Sequence, residues 1–144
     1  MPNWITKYLN IPYRHLGNNL DIGIDCGNLC AKVIKEQTGE DVLVKTSDFC
    51  DIVQEDWYKK TNTPIFENMF TNESNGFIKI DNPKPFDIIL MSIGSTNITN
   101  HCALYLGNAK MLQTMIDHVS WIAPYGKWYK QYTTGIYRWK NFNF

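Results

Sequence analysis

The chain has 144 residues, of which 44% are apolar and 19% are charged, a composition typical of a globular domain and too apolar for a disordered chain. Lys and Arg together number 14 and balance 14 Asp and Glu. The sequence contains no run or stripe of basic residues that could neutralise a row of phosphates, so we expect no nucleic-acid partner. No run is apolar and long enough for a signal peptide or an integral membrane segment. We expect a single domain over residues 1–144 that is made in the cytoplasm.

The first half of the chain is predicted to be rich in helix. The predicted helices lie at residues 3–10, 25–38 and 48–60. The middle helix has the strongest pattern, because apolar residues recur every three or four positions from Cys26 to Ile34 and Gly39 follows as a typical C-terminal residue. The segment 11–19 is predicted to be irregular, and the Thr-, Asn- and Pro-rich stretch 61–75 is predicted to be a surface loop.

The second half is predicted to form an antiparallel sheet. The predicted strands lie at residues 77–80, 86–92, 101–106, 110–116 and 135–139. Gly107-Asn108 is expected to turn the chain between the third and fourth strands. Helices followed by strands predict an α+β fold, with N-terminal helices packed on a central antiparallel β-sheet. The many aromatic residues of the C-terminal third either pack this sheet or form a surface for a partner protein or a glycan.

Cys26 is the candidate nucleophile, because unpaired backbone N–H groups and the helix dipole at the start of a helix favour a thiolate. The same N–H groups can hold an oxyanion. His101, at the start of an apolar strand, is the candidate base. If a loop of three or five residues joins the strands that flank Gly107, Gln113 lies opposite His101 and can orient its ring. His118 is a rival for this role, although its segment is predicted to be a loop or an edge.

The cysteines lie at positions 26, 30, 50 and 102, without a CxxC pair or the dense spacing of a secreted disulfide scaffold. We therefore expect reduced thiols, and Cys26 itself can be an ordinary buried thiol. A zinc site made of Cys26, Cys30, His101 and Cys102 is disfavoured, because adjacent strand residues point to opposite faces. No metal or organic cofactor is expected.

Several segments resemble, in matching order, the NlpC family of cell-wall cysteine peptidases. They are Tyr8–Tyr13 with Gly23–Cys26, Lys84–Leu90, His101–Gln113 and Gly135–Arg138. The last segment is similar to the ending of members that are encoded with bacteriophage tail genes. The resemblance implies a papain-like fold in which Cys26, His101 and Gln113 are the catalytic residues. It also implies that Tyr13 and Asp25 bind substrate, although Tyr13 can instead pack the core and Asp25 can instead cap the helix.

The chain departs from the family pattern at four positions. Gly27 stands where the family usually has Ser or Trp, and Asn28 and Phe86 each replace a glycine. Gln113 takes the third catalytic position, where His is commoner. We expect these departures to affect substrate preference and the rate of catalysis rather than the fold.

The resemblance implies hydrolysis of an amide bond in peptidoglycan stem peptides, after D-γ-glutamate. With the phage-like ending and the expected lack of a leader, it implies a component of a phage tail or tail-like particle. Such a component would contact tail-tip proteins and open the bacterial cell wall locally. The alternative is a structural tail-tip protein with the same fold and little or no catalysis.

Overall fold

The computed structural model describes residues 3–42, 65–94 and 98–142, and the helix predicted over 48–60 lies outside these ranges. The α-helices are α1 (Cys26–Thr38), α2 (Ile65–Thr71) and α3 (Lys127–Tyr132). Short 3₁₀ helices cover Asn3–Tyr8 and Glu73–Asn75. The strands are β1 (Asn18–Asn19), β2 (Gly23–Ile24), β3 (Phe77–Ile80), β4 (Ile88–Met91), β5 (His101–Gly107), β6 (Lys110–Gln113), β7 (Trp121–Pro124) and β8 (Thr133–Trp139).

Six strands form one antiparallel sheet in the order β3-β8-β4-β5-β6-β7. The predicted α+β fold with an antiparallel sheet is therefore confirmed. Strands β4 and β6 are shorter than predicted, and β7 and α3 fall in a part of the chain for which no element was predicted. The small hairpin of β1 and β2 begins in the segment that was predicted to be irregular.

Helix α1 begins and ends at the positions that its sequence signals predict. The side chain of Asp25 accepts a hydrogen bond from the backbone N–H of Asn28 at 2.7 Å, which caps the first turn. At the other end Gly39 adopts φ 81° and its N–H bonds to the carbonyl of Lys35. The buried face of α1 contains Cys26, Leu29, Cys30, Val33 and Ile34. The helix predicted over 25–38 is thus confirmed.

The surface loop predicted over 61–75 is wrong for its described part, which contains α2 and the second 3₁₀ helix. Phe66 and Phe70 lie one turn apart on α2, and both are buried. The ring of Phe70 packs against Phe77 at 4.5 Å and Tyr137 at 5.2 Å between ring centroids. The polar composition of the stretch concealed this pair of aromatic residues, whose burial stabilises the helix.

The sheet separates two apolar clusters. Along β4 and β5, alternate residues join the cluster beneath α1, among them Ile88, Leu90, Cys102 and Leu104. The residues between them, such as Ile89 and Ala103, join the cluster on the face that carries α3. This period of two is the expected pattern for a sheet that is covered on both faces. None of the helices in the described ranges is apolar and long enough to cross a membrane.

A buried ion pair joins the start of β4 to β8. The carboxylate of Asp87, which is fully buried, accepts bonds from Nε of Arg138 at 2.9 Å and from Nη2 at 2.7 Å. It also accepts a bond from the backbone N–H of Lys84 at 2.7 Å. The preceding residue, Phe86, has φ 75° and stacks on Trp4. A non-glycine residue is uncommon at such a positive φ. The family pattern has glycine at this sequence position.

Candidate active site

Cys26 is the first residue of α1, and the residue as a whole is 6% exposed. Its position directly after the cap residue places it among the backbone N–H groups of the first helical turn. The side chain of Asn28 donates a bond to the carbonyl of Gly17 at 3.1 Å and so ties this turn to the preceding loop. Asp25, the cap, is itself buried. The local sequence thus produces a fixed helix start with a thiol at its tip.

His101 and Gln113 are hydrogen-bonded to each other. His101 Nε2 lies 2.7 Å from Gln113 Oε1, and both side chains are buried. A carbonyl oxygen only accepts hydrogen bonds, so Nε2 carries the hydrogen and Nδ1 is the nitrogen left for the thiol. The amide nitrogen of Gln113 donates to the hydroxyl of Tyr129 at 2.9 Å. A continuous chain therefore runs from the imidazole to α3.

The predicted direct opposition of His101 and Gln113 is wrong, although the two side chains meet. The strand pairs are Leu104 with Leu112 and Tyr105 with Met111, and continuing this register places residue 103 opposite Gln113. His101 is therefore the diagonal neighbour, within reach of a long side chain. The cause is a two-residue turn at residues 108–109, where Asn108 has φ 52° and Ala109 has φ 56°, combined with a bulge before it.

The thiol of Cys26 interacts with both Cys102 and His101. A hydrogen bond from Cys102, followed by the hydrogen bond and charge of His101, holds the pKa of Cys26 well below its usual range, against the opposing effect of burial. Contact with Cys26 and Cys30, together with burial, raises the pKa of Cys102 well above its usual range. Cys102 therefore keeps its proton and serves as the donor, while Cys26 is the thiol that ionises.

Three cysteines lie close together where α1 packs on β5, with Cys26 and Cys30 on the helix and Cys102 on the strand. The sulfur atoms of Cys30 and Cys102 are 4.0 Å apart, and both thiols are free and buried. His101 and Cys102 are adjacent in β5 and were predicted to point to opposite faces of the sheet. Both nevertheless interact with Cys26. Within the described ranges, no group of three or more His, Cys, Asp or Glu residues has an arrangement that could hold a metal ion.

Tyr13 and His118 lie beside the segment that leads into Cys26. Tyr13 forms an isolated bridge with Ile24, two residues before Cys26, and its N–H donates to the carbonyl of His118 at 3.0 Å. The ring of His118 bonds through Nδ1 to the carbonyl of Ile116 at 2.8 Å and stacks on a tryptophan. The rival orienter is thus held within its own loop.

Sequence reasoning missed two neighbours of the candidate site, Cys102 and Tyr129. Cys102 is adjacent to His101, but its interaction with Cys26 depends on how α1 packs against β5. Tyr129 lies on a six-residue helix in the aromatic C-terminal third. The only available signal was the density of aromatic residues, which does not identify the one whose hydroxyl reaches Gln113.

A family model described as the NlpC/P60 family matches residues 10–138 of the chain. Among solved structures, the NlpC/p60 domain of the peptidoglycan hydrolase SagA matches with a TM-score of 0.56 and 20% identity, covering 91% of this chain and 89% of that one. None of the curated protein sequences matches significantly.

Two longer solved structures match over part of their length. An NlpC/P60 family protein from Bacillus cereus gives a TM-score of 0.61 at 18% identity, covering 92% of this chain and 36% of that one. NlpC1 from Trichomonas vaginalis gives a TM-score of 0.59 at 16% identity, covering 95% of this chain and 42% of that one. At these identities the matches establish the fold, and they agree with the papain-like α+β architecture.

Proposed function

Because the chain belongs to the NlpC/P60 family, whose members are cysteine peptidases and peptidoglycan hydrolases, we propose that it is a cysteine peptidase that hydrolyses amide bonds in peptidoglycan stem peptides. The observation that carries this proposal is the linked arrangement of Cys26, His101 and Gln113 at the start of α1. An acidic thiol, a base and a group that orients the base are what amide hydrolysis by a cysteine requires.

In the proposed reaction the Cys26 thiolate attacks the carbonyl carbon of the amide. Backbone N–H groups of the first turn of α1 stabilise the oxyanion of the tetrahedral intermediate. His101 then gives its proton to the leaving amine, which releases the first product and leaves an acyl-enzyme. A water molecule that is deprotonated by His101 attacks the acyl group and frees Cys26. Gln113 accepts from Nε2–H throughout and holds the ring with Nδ1 toward the sulfur.

The bond that we propose is the one after D-γ-glutamate in the stem peptide. Tyr13 is proposed to contact the substrate, and its place beside the strand that leads into Cys26 supports this role. Asp25 is proposed to support binding by holding the helix start in position, because its side chain is buried and occupied with the cap. No metal or organic cofactor enters the proposed reaction.

We further propose that residues 1–144 act as one domain within a phage tail or tail-like particle and open the cell wall locally. The similarity of Gly135–Arg138 to the ending of tail-encoded members supports this setting. Capture of tail-tip proteins by the Cys26→Ala variant would support it, and failure to co-purify with any assembled tail would contradict it.

The deciding experiment is digestion of purified peptidoglycan by the wild type and by Cys26→Ala, with the products read by mass spectrometry. Cys30→Ala is the matched control, since Cys30 is a buried thiol one turn further along the same helix. We expect stem-peptide fragments from the wild type and the control but none from Cys26→Ala, and the fragment masses identify the bond. Equal release by Cys26→Ala, or no release by the wild type from several wall types, would overturn the proposal.

A further inference from the structure

Tyr129 is the last member of the hydrogen-bonded chain that begins at His101. Its hydroxyl accepts a bond from Nε2 of Gln113 at 2.9 Å, while Oε1 of the same amide lies 2.7 Å from His101. Gln113 is only 1% exposed, so its amide group has little access to water as an alternative partner. Tyr129 is half-buried on α3, which lies on the face of the sheet away from α1.

The two ends of the Gln113 amide are not equivalent. With the oxygen toward His101, the imidazole can carry a hydrogen on Nε2 and can also accept a second proton to become the imidazolium. If the amide turned over, its NH₂ group would face Nε2, and Nε2 would have to be unprotonated. The turned-over arrangement therefore opposes the imidazolium that stabilises the Cys26 thiolate.

The structure assigns to Tyr129 the role of a positioning residue, which holds the amide of Gln113 with its oxygen toward His101 and thereby fixes the ring tautomer that serves Cys26. This inference rests on the proposed function of the cysteine and histidine. The hydroxyl acts as an acceptor for a buried NH₂ group that would otherwise be unsatisfied. Tyr129 itself does not contact the reacting atoms.

Neighbouring residues hold Tyr129 in place. The hydroxyl of Thr133 donates to the backbone carbonyl of Tyr129 at 3.1 Å, and Thr133 also bonds to the hydroxyl of Tyr125 at 2.7 Å. The ring of Trp128 packs edge-on against Tyr129 at 4.7 Å between centroids. The phenol is therefore fixed by α3 and the first residue of β8, independently of the helix that carries the nucleophile.

The test compares Tyr129→Phe with Tyr132→Phe. Tyr132 lies on the same helix and is also half-buried, and within the described ranges its hydroxyl has no hydrogen-bond partner. The first readout is the rate at which iodoacetamide alkylates Cys26, followed by peptide mapping across a range of pH. The second readout is the ring tautomer of His101, obtained from the ¹⁵N chemical shifts of the imidazole.

We expect Tyr129→Phe to slow alkylation at neutral pH by about tenfold, the consequence of one unsatisfied buried donor. The ¹⁵N shifts should move from one tautomer toward a mixture, whereas Tyr132→Phe should behave as the wild type. In a Gln113→Ala background, Tyr129→Phe should change alkylation by less than about twofold, because the two residues act through one bond.

The inference is overturned if Tyr129→Phe leaves both the pH profile and the imidazole spectrum of the wild type unchanged. It is also overturned if Tyr129→Phe slows alkylation equally with and without Gln113. Neither readout needs peptidoglycan, so a failure of the proposed substrate is distinguishable from a failure of the role of Tyr129.

Discussion

Two buried polar networks lie at opposite ends of the β4–β5 strand pair. Asp87, which precedes β4, accepts a bidentate pair from Arg138, and its backbone carbonyl accepts from Tyr105 near the end of β5. At the other end His101 pairs with Met91 in the ladder. The two networks are therefore separated by about 13 Å along the strands.

The two networks differ in the charge of the groups that bind the buried side chain. Asp87 and Arg138 are opposite charges that satisfy each other, an arrangement that fixes β4 to β8. The network at His101 ends on a neutral amide and a phenol, so the imidazole can gain and lose a proton without breaking an ion pair. A charged partner thus suits a buried group that stabilises the fold, whereas neutral partners suit the proton transfer proposed for His101.

The largest expected effect comes from His101→Ala. Loss of the general base should lower the rate of amide hydrolysis by about 10²–10⁴-fold, and Cys26 should also lose one of the two partners that lower its pKa. His118→Ala is the control, since His118 bonds within its own loop. Single-turnover digestion measures the rate, and a loss of the same size in His118→Ala would contradict the assignment.

The next largest effect is expected at the other end of the β4–β5 pair, in the network of Asp87 and Arg138. Arg138→Met leaves the buried carboxylate of Asp87 without its charged partner, so the free energy of unfolding should fall by about 3–5 kcal/mol. Alkylation of Cys26 per folded molecule should stay close to the wild-type rate. Lys140→Met is the matched control, because this nearby cation is exposed.

Urea denaturation and the alkylation assay together check this prediction. If Arg138→Met lowered the reactivity of Cys26 in protein that is still folded, the two networks would be coupled. The proposed division between stability and proton transfer would then be wrong.

A smaller effect is expected from Cys102→Val. The largest cause of the low pKa of Cys26 is the hydrogen bond from Cys102, so removal of this donor should raise that pKa. Because the thiolate is the reactive form, the acid limb of the alkylation profile should move to higher pH. Cys30→Val is the control, and an unchanged acid limb in Cys102→Val would show that Cys102 has no part in ionising Cys26.

The part of the fold that could be predicted is the part with local signals. Helix α1 was predicted correctly because its apolar spacing, its cap at Asp25 and its terminal Gly39 all lie within the helix or beside it. The family motifs then located the thiol, the imidazole and the amide. Helix α2 was missed because its stretch is rich in Thr, Asn and Pro, although Ile65, Phe66, Met69 and Phe70 recur within it at helical spacing. In the fold Phe66 and Phe70 are buried, and Phe70 packs against Phe77 of β3 and Tyr137 of β8.

The details of the candidate site depended on geometry that local signals do not encode. The diagonal relation of His101 and Gln113 follows from a two-residue turn in which Ala109 has a positive φ, and alanine does not indicate such a conformation. The neighbours Cys102 and Tyr129 were missed because their contacts join elements that are distant in sequence. Their roles could be recognised only from the packing of α1 and α3 on the two faces of the sheet.

The smallest expected effect separates two roles of Asp25, which lies at the start of the helix that carries the nucleophile. Asp25→Ala removes the acceptor for the N–H of Asn28 and should reduce the free energy of unfolding by about 0.5–2 kcal/mol, whereas Asp25→Asn retains a capping oxygen and should be nearly as stable as the wild type. If Asp25 acts only through the cap, Asp25→Asn should also keep the wild-type KM. A raised KM in stably folded Asp25→Asn would instead indicate that the carboxylate charge takes part in binding the stem peptide.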